Sequence, residues 1–216
     1  MPKRPETPAT PRDFEILEQA TAYQGYFRIE RYRVRYRRYD GAWSEPAWRE
    51  VFERGHAAAV IPYDPVRDEV VLIEQFRIGA TAADGGAWML EPVAGIIEPG
   101  EAAEDVARRE TLEEAGLEIL DLYPVMTYLA SPGGTTESVA VYIGRVDATR
   151  AGGTFGLANE SEDILAFALP LNDAMDAMMA RPTKVAALLI GMQWLALNQN
   201  EVRAAWNGPR SGEAPA

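Results

Sequence analysis

Residues 87 to 117, AWMLEPVAGIIEPGEAAEDVARRETLEEAGL, constrain the fold of this chain more than any other stretch. The apolar run AWMLEPVAG has the length and composition of a strand. Gly95 and Gly100 then allow a tight loop, Glu101 to Glu114 supply good helix formers, and Gly116 ends the helix, with Leu117 closing the hydrophobic contact beyond it. Strand, loop and helix follow one another directly. The helix is loaded with acids, although carboxylates at helical spacing repel each other. Glu110 and Glu114 lie four residues apart with Glu113 between them on the same side, while Ala103, Val106 and Ala107 make a narrow apolar seam. Arg109 is the one cation placed to brace the loop, and one guanidinium cannot neutralise so many acids. Hard divalent cations can, because Mg²⁺ takes oxygen ligands and is commonly held by a few carboxylates together with phosphate oxygens.

Around this segment the chain reads as strands first and helices last. From Gly25 to Phe52 the pattern has period two. Tyr32, Val34 and Tyr36 fall on one face and Arg31, Arg33, Arg35 and Arg37 on the other, with Asp40-Gly41 where a tight turn belongs. This predicts two or three antiparallel strands whose arginine face is either solvated or in contact with a nucleotide or partner. HAAAVIPYDPVRDEVVLIEQFR predicts a central hairpin turning at Asp64-Pro65. Further strands are expected at Leu122 to Leu129, Val139 to Val146 and Ile164 to Leu169, the last two separated by the long loop DATRAGGTFGLANESED. The period then becomes helical, with Leu171, Ala174, Met175, Met178 and Met179 on one stripe read as core and a longer helix from about Thr183 to Asn198. The expected fold class is α/β, a mixed sandwich preceded by a small antiparallel sheet.

Composition excludes several classes. The 216 residues contain no cysteine, so thiolate nucleophiles, zinc fingers and disulfides are all ruled out, and a reducing, cytoplasmic setting is expected. The opening MPKRPETPATPRDFE is proline-rich without an apolar run, so it reads as a disordered tail and not as a signal peptide. The most apolar stretch, VAALLIGMQWLAL, is shorter than a bilayer requires and carries Gln193, so no membrane association is expected. A formal charge of −12 argues against a nucleic-acid partner, because polyanions would be repelled.

The spacing of the acidic helix is specific. Gly95, five residues, Glu101, seven residues, Arg109-Glu110, two residues, Glu113-Glu114, one residue, Gly116 and Leu117 together resemble the complete signature of the Nudix hydrolases. Thr111 departs from it, since the family prefers an aliphatic residue there. Pro132 within LASPGGTTE, fifteen residues past Leu117, together with FERGHAAAVIPYDPVRDEVVLIEQFR and GLANESEDI, is similar to the bacterial ADP-ribose pyrophosphatase branch, and the likeness runs from about Gly25 to Trp206.

That resemblance implies an α/β/α Nudix sandwich with a mixed sheet. It also implies an N-terminal sheet exchanged across a homodimer, with residues 1–54 as tail and dimerisation sheet, 55–207 as the hydrolase domain and 208–216 as a disordered tail. It implies a Mg²⁺-dependent hydrolase, with Mn²⁺ as the alternative cation, that splits the diphosphate of ADP-ribose into AMP and ribose 5-phosphate. Other nucleoside diphosphate sugars, ADP-glucose or GDP-mannose, and a non-catalytic ADP-ribose sensor are the alternatives. Carried over residue by residue, Glu110, Glu114 and the backbone carbonyl of Ala94 become metal ligands, Glu113 a further one, and Glu101 a partner of Arg109. Glu160 becomes the base that takes a proton from water when its loop closes, with Glu162 assisting. Arg77 and Arg49 hold the diphosphate and nucleotide end, Tyr26 stacks on adenine, and Glu137 contacts the terminal ribose or the water. Arg54 and Phe27 compete with Arg49 and Tyr26 for those roles. His56, the only histidine, is read as structural in preference to catalytic.

Overall fold

The computed structural model describes residues 13–157 and 161–207. The chain forms two compact units, one holding the chain up to Arg54 together with Ser131–Glu137, the other Gly55–Ala130 together with the chain from Ser138 onward.

The N-terminal unit is a three-stranded antiparallel sheet of β1 (Phe14–Gln24), β2 (Arg28–Tyr36) and β3 (Ala47–Glu53), with β2 in the middle. Strand β1 corrects the sequence reading, which placed Phe14 and Glu15 in the tail and began the strands at Gly25. Its register slips between Ile16 and Glu18 and again between Thr21 and Tyr23, and each bulge flips the alternation, which hides the period-two signal. The turn forms at Asp40-Gly41 as expected: the Asp40 side chain accepts from the Ala42 amide at 3.0 Å, and Gly41 takes φ +84°. The arginines of that face are paired within the sheet itself. Arg33 pairs with Glu18 and Arg35 with Glu15, each at 2.7 Å, while Arg31 lies over the Trp48 ring and Arg35 and Arg37 over Trp43, so the sheet neutralises and stacks its own cations.

The larger unit carries an eight-stranded mixed sheet. Its main order is β10 (Gly153–Phe155), β11 (Ile164–Pro170), β5 (Glu69–Phe76), β4 (Ala57–Asp64), β9 (Ser138–Arg145) and β8 (Asp121–Leu129), with β6 (Trp88–Glu91) on β5 and β7 (Val93–Ile96) on β4. The β4–β9 pair is parallel and every other pair is antiparallel. Residues 58–64 and 70–73 are buried throughout, as a central strand covered on both faces must be. On one face Val60, Val71, Ile73 and Val93 pack against Val106, Ala107 and Ala115 of α1 (Ala103–Ala115). On the other, Ile61, Tyr63, Val70 and Leu72 pack against α2 (Leu171–Ala180) and α3 (Ala186–Asn207). The result is the expected α/β/α sandwich. Leu171, Ala174 and Met178 of the α2 stripe are buried and Met175 is partly buried, but Met179 is exposed.

Two local differences have simple causes. The long loop before β11 contains β10, whose three residues are too few to show a period against their glycines. Helix α3 does not stop at Asn198. The backbone there leaves helical geometry at φ −123° and ψ 16°, and the helix resumes as far as Asn207, where Val202 and Trp206 are buried in the core.

Candidate active site

Helix α1 is held against the sheet by Val106, Ala107 and Ala115, and Glu110 and Glu114 continue that same inward side toward its C-terminal end, where they meet Gly95 and the Ala94 amide of β7. Gly116 closes the helix at φ +65°, and a Cβ there would lie 2.5 Å from the Phe155 ring, so both the turn and the close approach require glycine. Thr111, the departure from the family pattern, is fully buried. Its hydroxyl donates to the Ala107 carbonyl at 2.7 Å, which removes the cost of the polar atom.

Arg109 braces the segment as expected. Its Nε donates to Glu101 Oε1 at 3.1 Å and Nη2 to Glu101 Oε2 at 3.3 Å, while Nη1 reaches Glu110 at 2.7 Å and Glu113 at 3.2 Å. The hydrogen bonds to Glu101, strengthened by the Glu110 charge, raise the guanidinium pKa above its ordinary value.

Glu114 is the most constrained acid. It is 3% exposed, and its Oε2 accepts the Ala94 amide at 3.0 Å. Burial pushes its pKa up to about 8, with the charges of Glu110 and Glu162 adding to the rise and the Ala94 amide and Arg77 opposing it. Glu110 is raised as well, first by burial, against Arg109, with Glu113 and Glu162 contributing. Glu110, Glu114 and Glu162 therefore lie within one another's fields. Glu162 also fixes its own turn, where its Oε2 accepts the Leu157 amide at 3.2 Å. Glu160 lies outside the described residues.

The loop before the helix is shaped around the acids. A Cβ on Gly95 would sit 1.8 Å from Glu110 Oε1, so only glycine leaves room for that carboxylate. Among the described residues no three acidic or imidazole side chains converge as a finished cation cage. Glu110 and Glu113 turn onto Arg109 and Glu114 onto the Ala94 amide, each to its nearest donor. The donor set of Glu110, Glu113, Glu114 and the Ala94 carbonyl is nonetheless all oxygen, and two of its acids are strained toward the neutral form by burial. That chemistry fits a hard divalent cation.

Arg77 enters the same neighbourhood from the end of β5. Burial tends to lower its pKa, but the hydrogen bonds it donates to Glu91 and the charges of Glu91, Glu114 and Glu162 raise it overall. Its Nε donates to both Glu91 oxygens at 3.1 Å and Nη2 donates to Oε2 at 2.8 Å; Gln75 Nε2 donates to the same Oε2 at 3.2 Å. Gln75 and Glu91 were not singled out from the sequence. The available signal was an acid inside the apolar run AWMLEPVAG, which needs a buried partner. His56 accepts at Nδ1 from the Ser138 amide at 3.2 Å, in keeping with a structural part.

Tyr26, Arg49 and Glu137 belong to the N-terminal unit. Tyr26 is 88% exposed and meets Phe27 edge-on, whereas Phe27 is packed between Tyr26 and Phe52. Glu137 pairs with Arg54 at 3.3 Å, and Arg49 is exposed with its Nη1 on the Trp48 carbonyl. Of the two competing pairs, Tyr26 and Arg49 are the accessible members.

The family model described as the NUDIX domain matches residues 53–189, more than half of the chain. The chain belongs to the Nudix family. An "ADP-ribose pyrophosphatase" of Escherichia coli (strain K12) is 48% identical over 194 residues, covering 90% of this chain and 93% of the relative. A "GDP-mannose pyrophosphatase" of Enterobacter sp. (strain 638) is 32% identical over 153 residues, covering 69% and 78%. The solved structure of an "ADP compounds hydrolase" shares the Nudix fold at a TM-score of 0.62 and 22% identity, covering 86% of this chain and 95% of that one. Likeness to the first relative extends past the Nudix match into the N-terminal sheet.

Proposed function

We propose that this Nudix chain is a divalent-cation-dependent enzyme that hydrolyses the diphosphate of ADP-ribose to AMP and ribose 5-phosphate, with Mg²⁺ as the cation and Mn²⁺ able to replace it. The observation that carries this is buried Glu114 beside half-buried Glu110, the latter crowded against Gly95, with both carboxyls in the field of Glu162 and Glu114 in that of Arg77. Glu110, Glu113, Glu114 and the Ala94 carbonyl would hold the cation, which when bound withdraws charge from phosphorus and acidifies an attacking water. Arg109 and Glu101 keep the carboxylate-bearing turn of α1 in place. Arg77, with Arg49, grips the diphosphate and nucleotide end, Tyr26 offers an exposed ring for the adenine, and Glu137 the contact to the terminal ribose. Glu160 takes the proton from the attacking water, assisted by Glu162. The 48% identity to the E. coli pyrophosphatase supports ADP-ribose over GDP-mannose as substrate. Release of AMP from ADP-ribose, with ADP-glucose and GDP-mannose in parallel and with and without Mg²⁺, tests the reading. Binding of ADP-ribose without turnover would instead make the chain a sensor.

Residues 1–54 form the dimerisation part and 55–207 the catalytic domain in this proposal. No helix among the described residues is long and apolar enough to cross a membrane, and the absence of cysteine suits the cytoplasm, where we place the enzyme. The N-terminal sheet leaves one face unpartnered: Phe14, Ile16 and Tyr36 are 69%, 53% and 50% exposed, beside Tyr32 and Val34. A three-stranded sheet with such a face requires a cover, and a second copy exchanging the sheet provides it. Light scattering at micromolar concentration is expected to give twice the 23.8 kDa chain mass, falling to one chain in Ile16→Glu; a wild-type monomer would refute the dimer.

A further inference from the structure

We infer that Glu91, seconded by Gln75, is a positioning residue that fixes the guanidinium of Arg77 so that its remaining donors are held ready for the anionic diphosphate of the substrate. The inference rests on the proposed activity and deepens it. Glu91 lies on β6, opposite Ile73 of β5, and is 6% exposed; Gln75 is 5% exposed. Both side chains lie on the sheet face of Val71 and Ile73, the face covered by α1. Arg77 continues the same alternation one step beyond the strand, where its amide donates to the Ala87 carbonyl at 2.8 Å.

A carboxylate buried this deeply is costly without a partner, and a buried ion pair contributes little net stability compared with apolar residues of the same shape. What the pair does supply is direction. Nε and Nη2 of Arg77 face Glu91, so the guanidinium plane is set by a planar fork. Among the described residues, Nη1 and the outer hydrogen of Nη2 have no acceptor and remain for a ligand. The Arg77 side chain is still 46% exposed, so a ligand can reach those donors, and its charge acts on Glu114 and Glu162. Gln75 adds a further bond to Glu91, which hinders the carboxylate from rotating out of the fork. An arginine held this way meets an anion with little rotamer freedom left to lose.

The test uses the full chain and two readouts. The Arg77 Nε–H resonance, assigned by its loss in Arg77→Lys, is expected to exchange slowly with water in the wild type and rapidly in Glu91→Gln. With ADP-ribose and Mg²⁺, Glu91→Gln is expected to lower kcat/KM about tenfold to a hundredfold, as misplacement of an orienting group does. In the Arg77→Lys background, where no fork exists, the same change is expected to cost no more than about twofold. An unaltered Nε–H signal in Glu91→Gln, or losses that multiply in the double variant, would overturn the assignment, since Glu91 would then act independently of Arg77. Should the wild type fail to hydrolyse ADP-ribose, the substrate reading falls, and the clamp is decided by the Nε–H signal alone.

Discussion

Glu114→Gln is expected to abolish hydrolysis of ADP-ribose, by a thousandfold or more on the scale of losing a group on which the whole site depends, and at the same time to stabilise the cation-free protein. The two effects share one cause. In the fold the Glu114 carboxyl is buried and its pKa stands at about 8, against an ordinary value near 4.5 in the unfolded chain. Between those values the folded state holds one proton more than the unfolded state, so stability falls by about 1.4 kcal/mol per pH unit. The contribution is fully present below the unfolded pKa and is lost as pH rises through 8. Glutamine keeps an acceptor for the Ala94 amide and does not titrate. In EDTA, the wild type is therefore expected to lose about 3 kcal/mol more than Glu114→Gln between pH 5.5 and 7.5 in urea unfolding. Parallel pH curves would show that the carboxyl is not strained by burial. Near-wild-type turnover of the variant at saturating Mg²⁺ would remove Glu114 from the ligand set.

Glu160→Gln is expected to lower kcat about a hundredfold or more with little change in KM, the usual signature of a lost general base. A carboxylate is a weak base toward free water, so it works only on a water already made acidic in the site. Glu162 has a different part. Its carboxylate is tied to the Leu157 amide and its charge bears on Glu110 and Glu114, so Glu162→Gln is expected to shift the Mg²⁺ concentration needed for half-maximal rate more than it lowers the maximal rate. Steady-state kinetics over a Mg²⁺ series separate the two. If the Glu160 variant keeps its turnover and the Glu162 variant loses it, the base has been given to the wrong acid; if both keep it, Glu113 or Glu137 must take the proton.

The loop and helix α1 were legible in the sequence because local rules govern both, whereas the single strand read over AWMLEPVAG is two, β6 on β5 and β7 on β4, divided at Pro92, which has no amide to give to a ladder. Glycine marks the loop and the cap, a three-residue apolar seam marks the buried side, and the acids that continue that side need no partner from elsewhere in the chain to be recognised. The brace of Arg109 on Glu101 is legible for the same reason, since only seven residues of loop and helix separate them. Other features depended on pairings between distant residues. Strand β1 was missed because its two bulges are defined only against β2. The self-neutralised arginine face required knowing that Glu15 and Glu18 stand across from Arg35 and Arg33, and Trp48 beside Arg31. The clamp of Glu91 and Gln75 on Arg77 exists only because β5 and β6 pair in one register, since a shift of one residue would turn Glu91 to the opposite face. The sequence by itself determined the kinds of groups present and their order along the helix. The tertiary structure decided which carboxylates are desolvated, and by how much, because burial is a property of the packed neighbours and not of the residue.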